Sequence, residues 1–113
     1  MSTTNASCTL TKPTDQELSD LVAIRLCGWK RNDDGKWVQP GFLGAMSFRP
    51  NFAQNESSAV GLLDDAEVQA AITRVDGRWS VEILPDIRGE ATSLARAICI
   101  ALLRADGVSI YGA

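Results

Sequence analysis

Residues 92–105, Thr-Ser-Leu-Ala-Arg-Ala-Ile-Cys-Ile-Ala-Leu-Leu-Arg-Ala, constrain the fold more than any other stretch of the chain. Thr92 offers a capping oxygen, helix formers fill the interior, and Gly107 stands just beyond Ala105, so a helix ending there is predicted. Leu94, Ile98, Ala101, Leu102 and Ala105 recur at helical spacing and form a core stripe. The opposite face carries Arg96, Ile100, Leu103 and Arg104, and two large aliphatics between arginines require an explanation. Either this helix is buried on more than one side, or its back contacts a partner, since arginine beside aliphatics is favoured at interfaces.

The rest of the chain supplies material to pack against that helix. With 113 residues, one domain is the prior. Such a chain buries roughly 65% of the surface it would expose unfolded, enough for a core without staples. Thr14-Asp15-Gln16-Glu17 has the form of a capping box, and Leu18, Leu21, Val22 and Leu26 then share one helical face. Gly28 suits the left-handed position that ends the helix, which gives a first helix over residues 15–27. Ile24 lies on its far side. Asp34-Gly35 between Trp29 and Trp37 predicts a hairpin. Residues 39–55 hold Phe42, Leu43, Met46, Phe48 and Phe52 but also Gly44 and Pro50, and read as an irregular loop with apolar anchors.

Residues 57–74 follow a helical pattern with Val60, Leu63, Val68, Ala71 and Ile72 as core candidates, although Asp64 and Glu67 leave room for two shorter helices. Asp76-Gly77 ends that helix or makes a turn. Residues 78–84 alternate cleanly, with Trp79, Val81 and Ile83 on one face, which predicts a half-buried strand. Residues 85–90 read as a loop, and Val108, Ile110 and Tyr111 as a last short strand. The expected fold class is α+β, a layered α/β/α sandwich with a small, largely antiparallel sheet covered by about three helices. Residues 1–13 are expected to form a flexible arm and residues 14–113 the single domain.

Composition limits the chemistry. The chain has no histidine, which removes Ser–His and Cys–His nucleophile pairs and the commonest ligand for zinc. Its three cysteines form no CxxC pair, and Cys27 and Cys99 read as small buried hydrophobes. Asp33/Asp34 and Asp64/Asp65/Glu67 are accounted for by turn and capping chemistry. No catalytic residue, metal ligand or cofactor is therefore expected. The net charge of −3 gives no footprint for direct nucleic-acid binding. No signal peptide or membrane-spanning stretch is expected, and a reducing cytoplasm suits the free thiols.

Several of these segments resemble the phage ABA sandwich domain family, small proteins of phages and prophages. The resemblance is carried by Glu17-Leu18-Ser19-Asp20-Leu21-Val22-Ala23, by Cys27-Gly28-Trp29, by the Trp79 strand, and by the run from Gly89 to Cys99. It implies a helix–sheet–helix fold and a phage origin, and carries over no catalytic residue. The chain departs from the family at Ile24, where a polar residue is usual, and in its looser entry into the middle helix.

Two candidate sites follow. The first is a partner-binding face made of Arg96, Ile100, Leu103 and Arg104 with Ile24, whose alternative is burial against the chain's own residues 42–52. The second is a ligand site at the start of the closing helix, with Arg88, Thr92 and Ser93, where a phosphate would meet a helix N-terminus; ordinary capping is its alternative. The functions to test are inhibition of a host defence complex in the anti-CRISPR manner, binding of a small nucleotide, and a homodimeric accessory role through the Ile100/Leu103 face. An enzyme is not expected.

Overall fold

A computed structural model describes residues 8–41, 44 and 49–112. Thr14 caps helix α1 (Asp15–Arg25) through the capping box its sequence predicts: its Oγ1 accepts from the Glu17 amide at 3.0 Å, and Glu17 Oε1 accepts from the Thr14 amide at 2.8 Å. Gly28, at φ +74°, turns the chain out of the helix. It leads into a hairpin of β2 (Lys30–Arg31) and β3 (Trp37–Val38). Asn32 Oδ1 accepts from the amides of Asp34 and Lys36 and so organises the hairpin tip. Trp29 packs edge-on against both Trp37 and Phe52, building a small second core with Ala23.

The segment before the middle helix is tied down by α1. Ser19, fully buried, accepts from the Ala53 amide at 2.9 Å, and Gln16 donates to the Pro50 carbonyl at 3.0 Å. Pro50 and Ala53 are buried there, whereas Phe42, Leu43, Met46 and Phe48 lie outside the described residues.

Residues 57–74 are not one helix. Asn55 caps α2 (Glu56–Asp65), Glu67 takes a left-handed φ of 54°, and the chain continues as strand β4 (Ala70–Val75). The reason lies at Asp76-Gly77, whose φ values of 53° and 78° form the two-residue turn that joins β4 to β5 (Arg78–Ile83). Pairing with the firmly alternating β5 draws residues 70–75 into a strand. Val68, Ala71 and Ile72, expected in the core, are exposed in consequence. A second correction concerns residues 85–90, most of which belong to strand β6 (Ile87–Ala91), antiparallel to β5.

Ser93, rather than its neighbour Thr92, caps helix α3 (Leu94–Ala105), accepting from the Arg96 amide at 3.1 Å. The chain then forms β7 (Ser109–Tyr111), which pairs in parallel with β1 (Thr9–Thr11). Residues 9–11 are thus part of the fold and not of a flexible arm; residues 1–7 lie outside the described residues.

The architecture is an α+β sandwich of three helices with small, largely antiparallel sheets. Within it α3 occupies the middle. It lies on the β4–β5–β6 sheet, and α1 and α2 pack on α3. Val81, Ile83 and Ala91 face it from the sheet, Leu18 and Val22 from α1, and Ala59 from α2. The other sheet face, with Thr73, Ser80, Arg88 and Glu90, carries no helix among the described residues. Helix and sheet approach closest at Gly89. A Cβ there would come within about 2.4 Å of the Ala101 amide nitrogen and the Ala97 carbonyl oxygen. Only glycine on the strand, facing alanines on the helix, permits that approach.

Candidate interaction surfaces

The back of α3 is interior. Ile100 and Leu103 are both fully buried, because helices, sheet and β7 surround α3 on more sides than an amphipathic stripe covers. Their face is consequently unavailable to a partner or to a second copy of the chain. The arginines beside them face inward too, in function. Arg96 donates to Asp15 Oδ1 at 2.8 Å and to the Pro13 carbonyl at 2.6 Å, holding the start of α1 against α3. Arg104 donates to the carbonyls of Arg88 and Ile110 at 2.7 and 2.8 Å, and so clasps β6 to β7. Charge-assisted bonds of this kind stabilise a fold by roughly 1.5–3 kcal/mol each. Of the five residues read as a partner face, Ile24 alone presents its side chain broadly to solvent, at 49% exposure.

The start of α3 does not assemble a ligand site either. Arg88 points from β6 onto the open sheet face, between Glu82 and Glu90 at 3.6 and 3.7 Å. There it lines a shallow depression of about 330 Å³ with Thr73, Arg78 and Ser80. Ser93 lines a different depression with Asp15, Gln54 and Glu56, and its hydroxyl is engaged in capping. Thr92 is exposed. The structure therefore separates Arg88 from Ser93, and Gly89 between them serves helix–sheet contact rather than a phosphate loop.

Among the described residues, apolar side chains line depressions on two flanks of α2. The first surrounds the end of α1. Leu26 stands half-exposed where the helix ends, on the wall of a depression of about 450 Å³ that Cys27, Leu62, Asp65, Ala66 and Leu102 also line, while Ile24 is exposed on the other side of the helix. The Arg25–Asp106 ion pair, 2.6 Å long, joins α1 to the end of α3 at this end of the molecule. Burial, and then the charge of Asp65, pushes the Cys27 thiol above its ordinary pKa, so it stays protonated and a poor nucleophile. The second surface runs along α2 and β4, where Val60, Val68 and Ile72 are exposed. Sequence periodicity gave no sign of this surface, because it placed all three in the core.

The remaining chemistry is dispersed. Burial, and secondarily Asp15, pushes the Cys99 thiol up to about 12. Among the described residues no three His, Cys, Asp or Glu side chains gather as a metal site, and no helix is long and apolar enough to cross a membrane.

Comparison with known proteins gives a fold. No protein-family model matches the chain, and no curated protein matches it. A crystal structure of a phage protein from Bacillus cereus superposes with a TM-score of 0.65 at 22% identity, covering 80% of this chain and 90% of that one. At that identity the likeness establishes a shared architecture.

Proposed function

We propose that this is a phage or prophage protein that works by binding, inhibiting a host defence complex in the anti-CRISPR manner and catalysing no reaction itself. The observation that carries the reading is the leucine-lined depression at the end of α1, with the half-exposed Leu26 on its wall. The fold shared with a Bacillus cereus phage protein supports the phage setting. The earlier partner face fails as a unit because its aliphatics are core. Ile24 survives from it as an exposed side chain, on the side of α1 away from Leu26. An apolar patch bordered by an arginine–aspartate pair has the character of a protein-docking surface, with an apolar centre and a polar rim. Such a protein acts in the cytoplasm of the infected bacterium, where its thiols remain reduced.

The test is phage plating on a host with active CRISPR interference, with and without the expressed chain. The expected result is restored plaques with the wild type and their loss with the double variant Ile24→Asp/Leu26→Glu, whose fold is checked by circular dichroism. Interference left intact by the wild-type chain overturns the reading.

A further inference from the structure

We infer that the chain forms a two-fold symmetric dimer through the free edge of β4, pairing residues 70–74 with the same residues of a second copy. The inference begins with backbone phase. Val75 and Arg78 close the two-residue turn, and the closing pair of such a hairpin exchanges both main-chain hydrogen bonds. Ala71 and Thr73 share that phase, and the bond from the Leu84 amide to the Gln69 carbonyl, 3.0 Å, continues it. Ala70, Ile72 and Arg74 accordingly turn their N–H and C=O groups away from the sheet. Among the described residues no strand pairs with that side.

Edges of this kind are usually blunted by proline, bulges, lysine or inward-pointing charge. β4 is six residues long, carries no proline or lysine, and pairs with β5 without a break in register; its one inward-facing charge, Arg74, is drawn over the ring of Trp79 on the neighbouring strand. Its side chains at 70, 72 and 74 share the helix-covered face with Val81, yet Ile72 is 42% exposed because α3 does not reach so far. Beside it, Val60, Leu63, Asp64, Val68 and Ala70 line a depression of about 270 Å³.

A second copy fits this edge by symmetry. With the two-fold axis at Ile72, Ile72 meets its own counterpart, and Ala70 and Arg74 stand opposite each other twice. All outward N–H and C=O groups are then used, two bonds to each pair. Charge matches as well. Arg74, which lies over the Trp79 ring at 5.3 Å, is placed opposite the partner's Ala70, in the depression that Asp64 lines. A cation thus meets an acid on both sides of the axis, while apolar side chains of α2 and β4 close over the junction. The three-stranded sheets join into one.

This surface is separate from Ile24 and Leu26, so the dimer and the host contact stand or fall by different measurements. The dimer is tested by light scattering and sedimentation equilibrium from low to high micromolar concentration. The wild type is expected at twice the 12.2 kDa chain mass. Ile72→Pro removes an outward N–H and is expected at the monomer mass with unchanged circular dichroism. If that variant fails to fold, the charge pair decides. Arg74→Glu is expected to weaken the dimer about tenfold or more, and Asp64→Arg added to it to restore the loss. A wild type that stays monomeric at high micromolar concentration overturns the inference. So does a dimer indifferent to Arg74→Glu and unaffected by a folded Ile72→Pro.

Discussion

Helix α3 and strand β4 draw on the same residue types and end in opposite surroundings. α3 buries Ile98, Ile100 and Leu103 completely, and β4 leaves every one of its residues exposed. The difference lies in neighbours rather than composition. α3 is enclosed by a sheet, two helices and β7, whereas β4 has β5 on one side and no described strand on the other. Apolar content therefore says that a segment needs cover, and topology decides whether the chain itself supplies it.

The contrast can be broken most directly by truncation to alanine in the two regions. Leu103→Ala removes a fully buried side chain and is expected to lower stability by about 3–4 kcal/mol. Val75→Ala, at a site 67% exposed, is expected to change it by about 0.5 kcal/mol or less. Urea unfolding of both variants makes the comparison, and similar losses would show that β4 is as well covered as α3. Gly89→Ala comes next. Its Cβ would press on the α3 backbone, which cannot rotate away, so a loss of about 2 kcal/mol is expected from the shift in unfolding midpoint. A neutral result would mean that helix and sheet separate more easily than their contact indicates.

A smaller loss than that at Gly89 is expected from pH. Cys99 has its pKa raised on folding from 9.0 to about 12, so the folded state keeps a proton that the unfolded state gives up. Stability from this thiol is complete below pH 9 and falls as pH climbs towards 12. Between pH 8 and 10 the stability of the wild type should drop by roughly 1 kcal/mol relative to Cys99→Ala. Parallel curves for the two proteins would place the thiol in contact with water.

Much of the fold was legible where a local signal coincided with a tertiary need. The Thr14–Glu17 box starts α1, and the alternation of Trp79, Val81 and Ile83 marks β5, as their residues predict. Strand β4 was misread because Val68, Ala71 and Ile72 also stand at helical spacing, and the deciding feature is a turn at Asp76-Gly77 that serves either structure. Strand β6 was hidden because two of its three inward positions, Gly89 and Ala91, are too small to announce a buried face, which leaves Ile87 alone. β1 has a partner 100 positions away, from Thr9 to Ser109, beyond the reach of any local pattern.

The site was less legible than the fold. Arg96 and Arg104 look like surface cations in sequence, yet both donate to backbone carbonyls, and main-chain acceptors leave no trace in residue types. Arg88 and Ser93 are five positions apart but belong to a strand face and a helix cap that point into different depressions. Ile24 read correctly as an exposed apolar residue because it falls outside the helical stripe around it.

The placement of α3 also sets the order in which the chain is completed. The helix that most of the core rests on occupies residues 94–105, and the strand that fastens β1 comes later still. A nascent chain emerging at roughly 5–20 residues per second would display α1, the tryptophan hairpin and β4 for several seconds before their common support exists. During that interval β4 is paired with β5 along one edge and open to solvent along the other. A cell making many copies on one message holds such strands near one another, so the synthesis of α3 is the moment at which correct closure competes with chain-to-chain pairing.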